Sequence, residues 1–187
     1  MFKVVGLTGK ARSGKDTVAD MANDLGYSKY ALASPIKEGI GAMFGYFFTA
    51  DEIYGDKKEN ISEELGVSVR YIAQILGTEF AREYISPDVW LMVADKFVGK
   101  CRHSYEKSRN GVVISDVRFP NEAEWVKEHG GVMIRVSRPD LPAVNAHVSE
   151  QHEVPVDFEI VNDGSMEDLR VKVRDTFHNI KRNCSYA

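Results

Sequence analysis

Two cysteines in 187 residues, Cys101 and Cys184, lie far apart with no His or Cys spaced as metal ligands. That scarcity argues against a disulfide framework or a zinc site and fits a reducing, cytoplasmic setting. No apolar run approaches the ~20 residues of a membrane span. The start, Met1-Phe2-Lys3-Val4-Val5, lacks the long apolar stretch and small-residue cleavage site of a signal peptide. Blocks of like charge are missing too. The net charge of -4 is spread over the chain, and 43% hydrophobic with 28% charged residues is ordinary globular composition, so neither nucleic acid nor a membrane surface is expected as a partner. There is no internal repeat and no low-complexity segment. The length supports one well-buried core and falls short of two full domains, so one domain over 1–187 with an insertion is expected.

The patterning that is present alternates strands with helices. Phe2 to Leu7 is a short apolar, β-branched run entering a turn rich in glycine, and Val18, Met21, Ala22 and Leu25 recur at helical spacing up to Gly26. Tyr27 to Ala33 is expected as a second strand, followed by a helix to Phe44 with Ser34 as its cap and Pro35 at its first position. Thr49 to Ser68 is polar with weak periodicity and reads as a mobile excursion from the core. Helices are expected at about Val69 to Tyr84 and Pro87 to Ser104. Gly111 to Asp116 has the composition of a buried strand, Pro120 opens a helix ending at Gly130-Gly131, and Val132 to Val136 and Phe158 to Val161 are further strands. Arg138 to Pro155 reads as a long loop. Ser165-Met166-Glu167-Asp168 fits a capping box before a closing helix with Leu169, Val173, Phe177 and Ile180 on its apolar stripe. Such alternation implies an α/β fold, a parallel sheet flanked by helices on both faces.

Between the first strand and first helix lies Gly9-Lys10-Ala11-Arg12-Ser13-Gly14-Lys15-Asp16-Thr17, with the glycine and lysine spacing of a Walker A loop. Its glycines let backbone N–H groups turn inward around phosphate, the helix N-terminus adds its positive end, and Lys15 can reach the β- and γ-phosphates. The residue after the lysine is Asp16, where the strict pattern has a Ser or Thr hydroxyl for magnesium. A carboxylate is a suitable hard ligand, so Asp16 is the candidate for the metal with Thr17 beside it, free to bond the α-phosphate. Arg12 either neutralises charge on the transferring group or points to solvent.

Asp116 ends an apolar strand as a Walker B acid does, with Arg118 two residues on. The pair reads as a carboxylate for metal-bound water or a sugar hydroxyl beside a guanidinium for phosphate, or as a salt bridge capping the strand.

Three stretches together resemble the phage-type deoxynucleoside monophosphate kinases. They are the loop above, Arg70-Tyr71-Ile72-Ala73-Gln74-Ile75-Leu76-Gly77-Thr78-Glu79 with Trp90 beyond it, and Ile114 to Glu124. The resemblance implies a P-loop fold of adenylate kinase type with a core of about 1–48, 105–137 and 156–187, an acceptor-binding helical insertion at 49–104 and a lid at 138–155. It also implies ATP and magnesium at Lys15, Asp16 and Thr17, and an acceptor deoxynucleotide lined by Arg70, Gly77, Thr78, Trp90, Asp116, Arg118 and Glu122. Trp90 offers a flat face for a base, or is a core aromatic; Arg70 and Arg118 can bracket a phosphate; Asn121 or Glu122 can meet polar edges. Ser34-Pro35-Ile36-Lys37 follows the family pattern, leaving Lys37 either near the acceptor phosphate or solvated. Arg138 falls where a lid arginine would, with a loop-anchoring salt bridge as the alternative, and His147-Val148-Ser149-Glu150 resembles a motif carried in the lid.

The expected reaction is attack of an acceptor phosphate oxygen on the γ-phosphorus of ATP, with Lys15, magnesium, Arg12, Asp116 and Arg118 as the catalytic set. The expected partners are small nucleotides, homodimer formation being open, in the cytoplasm of the host if the chain is phage-encoded. Two other readings compete. One is a P-loop kinase for another phosphorylated small molecule, since phosphomevalonate kinases also resemble this chain at Ser13-Gly14-Lys15-Asp16 and Ser115 to Arg118. The other is a nucleotide-binding module without kinase activity.

Overall fold

In a computed structural model of the chain, the residues described are 2–103, 108–139 and 154–183. The described chain divides into two compact units, one of residues 1–31 with 94–187 and one of 32–93.

The larger unit is built on a five-stranded sheet in the order β2-β3-β1-β4-β5, every neighbouring pair parallel. Its strands are β1 (Lys3–Thr8), β2 (Tyr27–Tyr30), β3 (Gly111–Ile114), β4 (Val132–Ser137) and β5 (Phe158–Val161). β1 is central, in register with β3 from Lys3↔Gly111 to Gly6↔Ile114 and with β4 from Val5↔Val132 to Thr8↔Arg135. Strands flanked this way are buried on both faces and read as continuous apolar runs, and β3 is buried at all four residues. The helices are α1 (Lys15–Asp24), α6 (Pro120–Glu128) and α7 (Met166–Asn183), with α5 (Val89–His103) crossing the division between the units. Val18, Ala19 and Ala22 of α1 and Leu169, Val173, Phe177 and Ile180 of α7 close one core with Val5, Leu7, Val113 and Val136. Tyr27 meets Phe177 edge-on, with ring centroids 4.9 Å apart. β2 is shorter than the run to Ala33 suggests, because its ladder with β3 ends at Tyr30↔Ile114.

The smaller unit holds α2 (Ser34–Phe44), α3 (Ala50–Tyr54), α4 (Val69–Gln74) and a π-helix over Ile75–Ile85. Three expectations are corrected here. Ser34 is the first residue of α2 and not its cap; Ala33 takes the cap position, with no side chain bonded to the helix. The stretch from Thr49 to Ser68 is not a bare excursion. Thr49 and Glu52 form a reciprocal capping box around α3, and Ile53 is buried with Phe48, Ile40, Val69 and Ile72. The single helix expected over Val69 to Tyr84 changes to π geometry at Ile75, seen where the Ser86 N–H reaches back five residues to the Ala81 carbonyl at 3.0 Å.

Candidate functional site

The loop after β1 is a nest in which glycine is required at two places. Gly9 has φ 140°, and a side chain there would run into the Val136 carbonyl of β4. Gly14 has φ 102°, and a Cβ there would lie 2.7 Å from the Asn162 side-chain amide. Between them Arg12 takes the left-handed conformation at φ 63°, the one non-glycine residue to do so among the described residues. That conformation costs a residue with a Cβ about 1 kcal/mol or more, and strain of this kind is concentrated at ligand-binding loops.

Four hydrogen bonds fix the loop. The ammonium of Lys15 donates to the carbonyls of Gly9 and Lys10, both at 2.7 Å. The Ser13 N–H bonds the Lys10 carbonyl at 3.2 Å. Asn162, just beyond β5, donates from its side chain to the Ser13 carbonyl at 3.0 Å, while its own N–H bonds Ser137 at 2.7 Å. The Ser13 hydroxyl is buried and has no hydrogen-bond partner among the described residues. A buried hydroxyl beside a phosphate nest invites an oxygen ligand.

Arg12, Gly14, Lys15, Asp16 and Thr17 line a cleft of about 460 Å³, completed by Arg138, Asn162, Gly164, Met166 and Leu169. Three cations thus converge with one carboxylate, and Met166 and Leu169 supply an apolar wall. Asn162, Gly164 and Met166 escaped the sequence reading: they lie after the last strand, where only the return of the chain to the sheet shows which loop they meet. Asp16 is exposed at the first turn of α1 and forms an ion pair with Lys29 of β2, Nζ to Oδ1 2.9 Å. Burial pulls the Lys29 ammonium down, but bonds to Asp16 and then Asp20 outweigh it and leave its pKa raised.

At the end of β3 the chain stays bonded to both neighbours: the Ser115 N–H donates to Tyr30 at 2.9 Å and the Val117 N–H to Leu7 at 3.0 Å. Asp116 lies between these anchors, half-buried at the carboxyl edge of the sheet, and Arg118 is exposed just beyond. Glu122 is 2% exposed, and one of its carboxylate oxygens accepts from the N–H groups of Arg118 at 2.6 Å and Phe119 at 3.0 Å. The carboxylate expected to meet an acceptor's polar edge therefore caps α6 and holds the backbone that carries Arg118.

Within the smaller unit, the Trp90 indole N–H donates to the Gly77 carbonyl at 2.9 Å, which commits the only polar atom of that half-buried ring. Gly77 itself is buried, and a Cβ there would lie 2.7 Å from Cδ1 of Ile36 in α2. Thr78 is exposed on the π-helix, and Lys37 is half-buried on α2. Arg70 pairs through Nε with Glu59 at 2.7 Å. His147 to Glu150, like most of 138–155, falls outside the described residues. No group of three or more His, Cys, Asp or Glu is placed to hold a metal among the described residues. No described helix is long and apolar enough to cross a membrane.

A nest of this form, following the central strand of a parallel sheet in this order and leading into a helix with lysine in its first turn, defines a nucleotide-binding fold of the P-loop class. Solved structures agree on the fold: dephospho-CoA kinase from Campylobacter jejuni (16% identity, TM-score 0.50, covering 98% of this chain and 99% of that one) and shikimate kinase from Aquifex aeolicus (12%, 0.54, 98% and 99%). The chain belongs to the deoxynucleotide monophosphate kinase family, whose sequence profile matches residues 3–60 and 44–173. Among its relatives, a putative deoxynucleotide monophosphate kinase of Acanthamoeba polyphaga mimivirus is 30% identical, covering 89% of this chain and 91% of its own length. The deoxynucleotide monophosphate kinase of Enterobacteria phage T4 is 25% identical, covering 94% and 98%.

Proposed function

We propose that this chain transfers the γ-phosphoryl group of ATP to the phosphate of a deoxynucleoside monophosphate, giving the diphosphate and ADP. Family membership supports the reaction, and the observation that carries the donor side is the glycine-bound nest with Lys15 and Arg12 opening on the 460 Å³ cleft. The backbone N–H groups of 9–15 and the Lys15 ammonium take the polyphosphate, in exchange for the loop carbonyls that Lys15 now holds. Arg12 and Arg138 add charge along the cleft, and Met166 and Leu169 provide an apolar surface of the kind a purine face needs.

The oxygen donors of Asp16 and Thr17 suit magnesium. That cation keeps much of its water and its phosphate ligands and needs few protein groups, so a cage of several carboxylates is not required. Held there by Asp16 and Thr17, the metal would supply positive charge that offsets the charge developing on the transferring group.

For the acceptor, we assign Trp90 as the stacking face, because its indole N–H is held by Gly77 and its ring is left to act through its faces. The residues of 49–104 are its proposed binding insertion, with Arg70, Thr78 and, ahead of them, Lys37 as polar contributors. Arg118 takes the acceptor phosphate, Asp116 a metal-bound water or sugar hydroxyl, and Glu122 acts through the Arg118 backbone. Residues 138–155 are the proposed lid. The acceptor phosphate is ionised near neutral pH, so no strong general base is needed and catalysis comes from alignment and charge.

A coupled assay of ADP release across all deoxynucleoside and ribonucleoside monophosphates, with mevalonate phosphate as control, tests the reading. Turnover with at least one deoxynucleotide is expected. Turnover of mevalonate phosphate alone, or of nothing while ATP still binds, would reject it.

A further inference from the structure

Lys29 stands in the middle of β2 and is shared by two carboxylates of α1. Its Nζ lies 2.9 Å from Oδ1 of Asp16 and 3.0 Å from Oδ1 of Asp20. Asp16 and Asp20 are four residues apart and so lie on one face of the helix. The lysine side chain is 27% exposed, whereas the two carboxylate side chains are 79% and 63% exposed, so the cation is the anchored member and the acids face solvent. Asp16 is also the residue that the loop offers to magnesium in place of a hydroxyl. An ammonium and a dication compete for the same carboxylate oxygens. Asp20 changes that competition, because a partly buried ammonium that gives up Asp16 still keeps one anionic partner.

We propose that Lys29 is a placeholder for the metal: it neutralises Asp16 in the metal-free enzyme and withdraws onto Asp20 when a magnesium-bound nucleotide arrives. Lys29 and Asp20 are positioning residues that set the metal requirement while touching neither nucleotide nor acceptor. The inference rests on the assignment of Asp16 to the metal.

The two partners have opposite signs. Lys29→Met removes the competing cation and frees Asp16, so the metal concentration needed for half-saturation falls. Asp20→Asn leaves Lys29 with Asp16 alone, so that concentration rises. The measurement is manganese binding to the protein–ADP complex, read as loss of the free manganese electron paramagnetic resonance signal and repeated with magnesium as competitor. Shifts of several-fold in opposite directions are expected. Shifts in the same direction, or none, overturn the placeholder role. Should Lys29→Met fail to fold, Asp20→Asn on the exposed helix face still decides: tighter or unchanged manganese binding overturns it. Asp16→Asn separates the two levels. If it binds manganese–ADP as tightly as wild type, the assignment of Asp16 to the metal fails; if it binds more weakly while the other two variants are silent, only the role of Lys29 fails.

Discussion

The indole N–H of Trp90 and the carbonyl of Gly77 are joined by a 2.9 Å hydrogen bond that ties the start of α5 to the π-helix. A Cβ at Gly77 would lie 2.7 Å from Cδ1 of Ile36, so that side-chain tip would have to shift to admit one. The hydrogen bond holds the ring at a defined angle. Trp90→Phe keeps an aromatic face but loses the tether, and we expect a higher acceptor KM with ATP affinity retained. Trp90→Ala should raise KM further, by roughly five- to 150-fold if one base–aromatic stack of about 1–3 kcal/mol is lost. Acceptor binding should quench tryptophan emission in the wild type. The buried Trp125, at 6% exposure, serves as the internal reference, and quenching that survives Trp90→Phe would remove Trp90 from the acceptor side.

Arg12 and Gly14 make opposite demands on the loop. Gly14→Ala puts a side chain at φ 102° against the Asn162 amide, so ATP affinity and thermal stability should both fall, the latter by about 1–3 kcal/mol. Arg12→Gly relieves left-handed strain at φ 63°, offset by the greater freedom of glycine in the unfolded chain. Its melting temperature should hold while kcat drops. Unchanged kcat would mean that the guanidinium has no part in the transition state.

Lys15→Ala should abolish measurable turnover, a loss of at least about a hundredfold, as for removal of a charge-stabilising group from a reaction centre. Arg118→Ala should instead raise acceptor KM or lower kcat with ATP binding intact, consistent with about 1.5–3 kcal/mol for hydrogen bonds to a charged group. Steady-state kinetics with each substrate varied in turn separate the two. Loss of ATP affinity with acceptor affinity kept in Arg118→Ala would reverse its assignment.

The cap of α7 gives a pH dependence. The Ser165 hydroxyl and then its N–H hold the Asp168 carboxylate below its ordinary value of 3.8. A group whose pKa is lower in the folded state stabilises the fold above the unfolded value and loses that contribution as pH falls through the folded one. Asp168→Asn should therefore melt below wild type near neutral pH. The gap should close in acid, and a gap independent of pH would show that the charge is irrelevant to the cap.

Much of this arrangement was legible in the sequence where period and punctuation agree. All five strands, the loop and the closing helix follow from short apolar runs bounded by glycine and from the capping pattern at Ser165. The helices of the smaller unit were less legible. Ile75 to Ile85 has ordinary helical composition, and nothing local distinguishes a five-residue hydrogen-bond step from a four-residue one; close packing at Gly77 becomes visible only in three dimensions. Thr49 to Ser68 looked polar because α3 is five residues long and shows one buried side chain, Ile53, too few for a period. Glu122 is the instructive case at the site. As the third residue of α6 its carboxylate reaches back to the N–H of the cap residue, Phe119, and that local role competes with any role toward a ligand.

Gly9 is pressed against Val136, Gly14 lies beneath Asn162, and β1 lies between strands contributed by residues more than a hundred positions later. In a chain growing from the ribosome the bonds of Lys15 and Ser13 within the Walker sequence can form early, but the strands that flank β1 and the Asn162 bond to Ser13 are missing until residue 162 has emerged. A truncated product that retains Lys15 but ends before β5 would carry the loop without the Asn162 anchor, and is expected to hold a nucleotide more weakly than the full chain.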